Sequence, residues 1–272
     1  MMGIENKELD FCLLIPCYNN LEGLILSIDS VEYHSARFII VVVDDGSKIP
    51  VTVKIIKEKI KNPYTLIVLR NEVNKGITNA LNKGLKWIEE NTDSKYVARL
   101  DCSDLCKNDR FLKQVDYMDK HPGTGLLGSW CEFENKNLFK YNYKTPTNHQ
   151  AILKAMHFKN IFIHPTVMFR KSLIKRAGYY PYKFPYAEDY AFFWQLIKID
   201  HCHILAEFLV VCEINNEGIS LKNRKKQFLS RMKVIYKYGT NPFYKVAGMV
   251  RIIALSLIPK RLALRLKNLM KT

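Results

Sequence analysis

Phe38-Ile-Ile-Val-Val-Val-Asp-Asp-Gly-Ser47 is the stretch on which the fold turns. Its apolar residues, mostly β-branched, run without polar interruption, as a strand buried on both faces requires. The run stops at Asp44-Asp45-Gly46-Ser47, a turn. Upstream, Phe11-Cys-Leu-Leu-Ile15 is a second such run, closed by Pro16. Between the two, Asn20 to Tyr33 carries helical periodicity in Leu21, Leu24, Ile28 and Val31. Downstream, Val51 to Ile60 predicts a helix and Tyr64 to Leu69 a third strand. Gly76 to Glu90 predicts a further helix with Ile77, Leu81, Leu85 and Ile88 on one face. Lys95 to Leu100 then predicts a fourth strand, ending at Asp101-Cys-Ser-Asp104.

Strand and helix thus alternate four times at a spacing of roughly 30 residues, the pattern of β-α-β units in a parallel sheet. Such sheets place ligands at the carboxyl ends of their strands. Here those ends carry Pro16-Cys-Tyr-Asn19, Asp44-Asp45, Arg70-Asn71 and Asp101 to Asp104. The second half is less regular: strands at Leu126–Phe133, Pro165–Arg170 and Cys202–Ile214, helices at Gln150–His157 and Glu188–Ile199. From Leu221 the pattern is helical and basic.

Of the 272 residues 48% are hydrophobic and 25% charged, a globular composition that excludes a disordered chain. The formal charge of +16 is unevenly spread. Lys222 to Thr272 holds 14 basic residues and no acidic one, so the preceding body carries only +2. The basicity belongs to the tail. A polycationic tail is compatible with nucleic acid, but its charges have few aromatics among them and no nucleic-acid-binding motif is present, so no nucleic-acid partner is expected. Met249 to Pro259 is apolar but carries Arg251, and falls short of the roughly 18 apolar residues of a membrane span. With the basic residues that follow, 245–272 is expected to lie on an anionic membrane surface, or else to pack on the body with a solvated basic face. Seven cysteines, an odd number, and a polar Met1–Asp10 without an apolar signal core predict reduced thiols in the cytoplasm. No C-x-x-C pair suggests structural zinc.

No Walker loop and no G-x-G-x-x-G string occurs, so neither a P-loop enzyme nor a dinucleotide dehydrogenase is indicated. Carboxylates at two strand ends can instead accept from a nucleobase or ribose, or hold a hard cation. For Asp44-Asp45 alone, ordinary turn chemistry is an equal explanation. Glu188-Asp189 opens a helix, where a carboxylate is favoured by the helix dipole and is also available as a base. His164 before Pro165 reads either as structural or as a substrate ligand. Asn74 and Gly76 read as donor contacts or as the entry to a helix, and Arg70 and Arg99 as phosphate ligands or as partners of nearby carboxylates. Trp194 reads as core, and Tyr179-Tyr180-Pro181-Tyr182 as an acceptor-side loop.

Taken in order, Pro16-Cys-Tyr-Asn19, Asp44-Asp45-Gly-Ser47, Asn74-Lys-Gly-Ile-Thr-Asn-Ala-Leu-Asn-Lys-Gly84, Ala98-Arg-Leu-Asp-Cys-Ser-Asp104, His164-Pro-Thr166 and Glu188-Asp189 resemble glycosyltransferase family 2. The resemblance covers about residues 10 to 215. It implies an α/β, GT-A type fold: a Rossmann-like, mostly parallel central sheet flanked by helices, with residues 10–106 as the nucleotide-sugar half and 107–215 as the acceptor half. Residues 216–272 would form a basic helical extension. It also implies inverting transfer of a hexose or N-acetylhexosamine from a UDP-sugar to a glycan, as on a polyprenyl diphosphate or lipopolysaccharide precursor. In that frame Pro16, Tyr18, Asn19, Asp45, Asn74, Gly76, Arg99 and Asp101 bind the nucleotide-sugar. Asp101 and Asp104 hold Mg²⁺ or Mn²⁺, Asp189 is the base, and Glu188 and His164 face the acceptor. Ser103 stands where the family has a carboxylate, which implies weaker metal binding or a shifted role for Asp104.

Overall fold

The computed structural model describes residues 8–33, 35, 37–107, 109–135, 139–214 and 223–257. Its first half follows the expected alternation: β1 (Phe11–Cys17), α1 (Leu21–Asp29), β2 (Phe38–Asp44), α2 (Val53–Lys57), β3 (Leu66–Arg70), α3 (Ile77–Asn91) and β4 (Tyr96–Arg99). These four strands lie parallel in the order β3-β2-β1-β4. Both faces of β1 and β2 are buried, and the side-chain alternation divides the core in two. Cys12, Leu14, Ile39, Val41 and Val43 meet Ala80, Leu81, Leu85 and Ile88 of α3. Phe11, Leu13, Ile15, Ile40 and Val42 meet Leu24 and Ile28 of α1 on the other side.

Strand β1 runs through Pro16 to Cys17 instead of stopping at the proline. Pairing with β4 ends at Leu14, while pairing with β2 continues to Cys17 opposite Asp44. The Pro16 carbonyl points toward the β4 side, where the Cys102 thiol donates to it at 3.3 Å. The missing N–H therefore falls where no ladder bond is needed, which admits a proline to a central strand.

The second half contains β5 (Leu105–Cys106), α4 (Arg110–Lys120), β6 (Thr124–Asn135), β7 (Phe139–Tyr143), α5 (His149–Met156), β8 (Met168–Arg170), α6 (Leu173–Ala177), α7 (Glu188–Ile197) and β9 (His201–Glu213). The sheet continues from β4 as β8-β6-β9-β5, with β7 on the edge of β6. Here the parallel sheet takes antiparallel neighbours. β8 runs antiparallel to β4 and β6, β7 to β6, and β5 to β9, so the nine-stranded sheet as a whole is mixed. The parallel part is confined to the first four strands and the β6–β9 pair. Among these antiparallel pairs only β6 and β7 are joined by a short connection, which reverses direction as a hairpin does; β8 and β5 pair with strands far away in sequence, and such long connections impose no direction. Pro165 and Thr166, expected to begin the strand Pro165–Arg170, belong instead to a 3₁₀ turn, His164–Thr166, before β8.

Two helices follow, α8 (Arg224–Tyr238) and α9 (Pro242–Leu257). α8 joins the core through Val234, Ile235 and Tyr238, and α9 through Ile252. Among the described residues, no helix is long and apolar enough to cross a membrane.

Candidate active site

The carboxyl ends of the four parallel strands are tied into one polar rim. Asn19, in the left-handed region at φ 49°, donates its N–H to the Ser47 hydroxyl at 2.8 Å. Its side-chain oxygen accepts from Lys48 N at 2.8 Å, which pins the β1 exit to the β2 exit. Asp44 is buried, accepts from Ser47 N and Val51 N, and pairs with Arg70. Although burial alone disfavours its charge, these donors and Arg70 together hold its carboxyl below the usual range. Arg70 is thus the partner of a carboxylate.

Asp45 reaches toward the α3 entry. Its Oδ1 accepts from Asn71 Nδ2 at 2.7 Å and Lys75 N at 3.0 Å, and its Oδ2 from Gly76 N at 2.8 Å. Three donors fix the carboxylate, and Oδ2 retains a lone pair for a further donor. Gly76 itself takes φ 86° as the residue before α3, a conformation that suits glycine. Tyr18 is 49% exposed at the end of β1, its ring free to stack. Pro16 is buried, and Asn74 is exposed on the loop.

At the end of β4, Arg99 is fully buried and organises its neighbours. It donates to the Leu14 carbonyl, to Asp101 Oδ1 at 2.5 Å and to His164 Nε2 at 3.3 Å. His164 Nε2 also accepts from the Tyr180 hydroxyl at 2.9 Å. Burial and Arg99 push the imidazole down to about 3, so it is neutral. With Nε2 accepting twice, the proton sits on Nδ1, which lies 3.9 Å from Asp101 Oδ2. The side chain of Asp101 is 35% exposed.

Asp104 lies deeper. Its Oδ1 accepts from Glu213 N at 2.8 Å, and burial, with Asp101 nearby, raises its carboxyl well above the usual range. Ser103, at φ 77°, turns toward the start of α1, where its hydroxyl accepts from Asn20 Nδ2 at 3.2 Å. Among the described residues no three His, Cys, Asp or Glu side chains form a cage for a metal. Asp101 and Asp104 supply hard oxygens, a donor set suited to Mg²⁺ or Mn²⁺, which commonly take one or two carboxylates and complete their shells with water and substrate phosphate.

A cavity of about 490 Å³ joins this rim to the second half of the chain. Lys75, Gly76, His164 and Tyr182 line one part, Glu188 and Asp189 another. Asp189 Oδ2 accepts from Asn160 Nδ2 at 2.9 Å and Oδ1 from Tyr190 N at 2.7 Å. Burial raises its carboxyl; for Glu188, burial and then the Asp189 charge raise it to about 7. Two interacting carboxyls, both held above their ordinary range at a cavity wall, are suited to proton transfer. Trp194 is fully buried, as core.

Three cavity residues escape the sequence reading. Asn160 orients Asp189. Tyr186 is held at φ 66°, with its carbonyl accepting from Gln227 Nε2 at 3.2 Å. Arg231 of α8 lines the cavity and opposes the charge of Asp189. A signal for the last was present: Gln227, Ser230, Val234, Ile235 and Tyr238 form one inward helical stripe, polar at its first turn. A polar residue on a buried stripe marks a site more readily than a count of charges does.

Comparison with known proteins agrees with this arrangement. Residues 12–178 match the family described as "Glycosyl transferase family 2". The chain is 32% identical over 197 residues to the amylovoran biosynthesis glycosyltransferase AmsE of Erwinia amylovora, covering 70% of this chain and 71% of that one. It is 31% identical over 170 residues to the UDP-Gal:alpha-D-GlcNAc-diphosphoundecaprenol beta-1,3-galactosyltransferase of Escherichia coli, over 61% of this chain and 60% of the other. In fold it is similar to S. aureus TarS 1-349 in complex with UDP-GlcNAc, at a TM-score of 0.65 and 18% identity, over 90% of this chain and 72% of that one. A family match over more than half of the chain, on a GT-A type fold, makes this protein a transferase and a member of glycosyl transferase family 2.

Proposed function

We propose that the protein moves a hexose or N-acetylhexosamine from a UDP-sugar to a glycan carried on a polyprenyl diphosphate or lipopolysaccharide precursor, inverting the anomeric centre. The observation that carries this reading is the cavity in which the α3 entry loop, His164 and the Glu188–Asp189 pair meet, with the partly exposed carboxylate of Asp101 next to His164. Tyr18 stacks on the base, and Asp45 accepts from it through the free lone pair of Oδ2. Arg99 and neutral His164 set the orientation of Asp101 toward the ribose and diphosphate. In the transfer, the acceptor oxygen bonds to the anomeric carbon as its hydroxyl proton passes to Asp189. The bond from that carbon to the diphosphate oxygen breaks, and its electron pair leaves with UDP. Asp101 and Asp104 are the residues that would hold Mg²⁺ or Mn²⁺, whose charge would stabilise the departing diphosphate. A lipid-linked acceptor would keep the enzyme at the cytoplasmic face of the plasma membrane. The name of the Escherichia coli relative, which joins a UDP-sugar to a diphosphoundecaprenol acceptor, supports both substrate classes.

Calorimetry with UDP and GDP, with and without Mn²⁺, tests the donor site. Metal-dependent binding of UDP in preference to GDP, weakened by Tyr18→Ala and Asp101→Asn, is expected. A folded chain that binds neither nucleotide would remove the reading.

A further inference from the structure

Helix α9 is apolar on both of its faces. Inward, Gly248 and Ile252 are buried, and Gly248 passes so near the end of α5 that a Cβ there would lie 1.9 Å from the His157 carbonyl oxygen. Outward, Phe243, Val246, Val250, Ile253 and Leu257 follow one another at helical spacing, each between 47% and 77% exposed. Lys245 and Arg251 are the two charges of this helix, and both lie off the outward stripe; a contiguous exposed apolar stripe of this kind marks an interaction surface. The outward stripe therefore calls for an occupant that the described residues do not provide.

Charge identifies the occupant. Residues 223–257 hold eight Lys or Arg side chains and no Asp or Glu. A second copy of this hairpin would set like charge against like, which disfavours a dimer through this face. On α8, Lys225, Lys226, Lys233 and Lys237 are exposed together with Leu229 and Tyr236, a mixture of cations and apolar bodies. Long basic side chains of this kind lay their stems on apolar surface and send their charges to phosphate.

We infer that the α8–α9 hairpin is a lipid-docking surface: the Phe243–Leu257 stripe enters the headgroup–acyl boundary of an anionic bilayer while the α8 lysines meet its phosphates. This assigns the membrane contact to a defined face of a folded hairpin, and it stands apart from the reaction proposed above. Gln227 and Arg231 on the inner side of the same α8 line the cavity, so the docked hairpin also forms a wall of the candidate site.

Flotation of the full chain with vesicles of phosphatidylcholine, alone or with about a third phosphatidylglycerol, tests the assignment. The wild type is expected to float with the anionic vesicles only. The triple variant Val246→Ser, Val250→Ser, Ile253→Ser keeps helix propensity and is expected to bind about tenfold more weakly or worse. The variant Lys225→Gln, Lys226→Gln, Lys233→Gln is expected to weaken binding and reduce its salt dependence. Melting temperature and UDP affinity should match wild type in both. Wild-type failure to float, equal binding to neutral vesicles, or unchanged binding by the serine variant overturns the proposal. So does a dimer by light scattering that the serine variant abolishes, since a second copy would then cover the stripe. A serine variant that melts well below wild type would place the stripe in internal packing, which also overturns it. Loss of nucleotide binding with vesicle binding intact would instead count against the proposed reaction alone.

Discussion

Asp189 accepts from two neutral donors, Asn160 and the Tyr190 N–H, and is faced by the cation Arg231. As a base it must be ionised, so kcat/KM should rise with pH through the titration of the Glu188–Asp189 pair, in the neutral region to which Glu188 is raised. Arg231 favours the ionised form, and Arg231→Gln should move that rise to higher pH while Arg231→Lys restores it; a pH–rate profile reads both. Asp189→Asn should lower kcat by roughly 10²- to 10⁴-fold with UDP affinity unchanged. Asp104 gives a second test at this scale. Its folded-state carboxyl is raised by burial, so its ionisation at neutral pH costs stability. Asp104→Asn should therefore raise the melting temperature of the metal-free protein while reducing the effect of Mn²⁺ on UDP binding. A fall in melting temperature would make Asp104 a structural carboxylate and not a ligand. Ser103 changes meaning in the structure: its side chain serves the start of α1, so the residue is explained by packing against Gly23 and Asn20 whatever its effect on the metal.

At the scale of elements, legibility followed burial. β1, β2 and α3 were readable because strands buried on both faces leave unbroken apolar runs and α3 leaves a clean stripe. The short β5 and the antiparallel placement of β8 are set by partners distant in sequence and leave no local pattern, whereas β7 pairs with its sequence neighbour β6. The α4 helix was legible by the same rule as α3, since Phe111, Val115 and Met118 stand at i, i+4 and i+7 with charges on the other face, although it is not among the helices predicted from the sequence. The turn between α8 and α9 was hidden, though its chemistry is specific. His157 Nδ1 donates to the Leu153 carbonyl, leaving Nε2 to accept from Thr240 N at 3.0 Å and Asn241 N at 3.1 Å. A protonated imidazole has no acceptor for those two donors. Burial holds its folded-state value below the ordinary 6.5, so the stability it contributes is complete above that pH and is lost as pH falls through the folded value. The margin in melting temperature between wild type and His157→Gln should accordingly shrink on acidification. Gly248→Ala, which drives a methyl into the His157 carbonyl, should destabilise by roughly 1–3 kcal/mol at any pH.

Over the whole molecule, the division into a nearly neutral body and a strongly basic tail was plain in the sequence, but its structural sense was not. Charge counting marks a tail as a separate appendage, because it weighs solvated lysines and ignores the few residues that face inward. In the structure α8 packs through Val234 and Ile235 into the same core as α7, and Gln227 and Arg231 reach the cavity that Asp189 lines. The two readings predict different outcomes when the chain is stopped after Ile214. If the segment only tethers the enzyme to lipid, transfer to a water-soluble acceptor should survive at the wild-type rate. If α8 is a wall of the site, that rate should be lost along with the restraint on Tyr186. Removing α8 also uncovers part of the core that includes Phe184, Ala187 and Tyr190, so the shortened chain should melt at a lower temperature and tend to aggregate. Arg231→Gln in the full chain separates the causes. It leaves the core covered, so a fall in transfer to the soluble acceptor without a fall in melting temperature assigns the loss to the cavity, whereas unchanged transfer returns the segment to tethering and support.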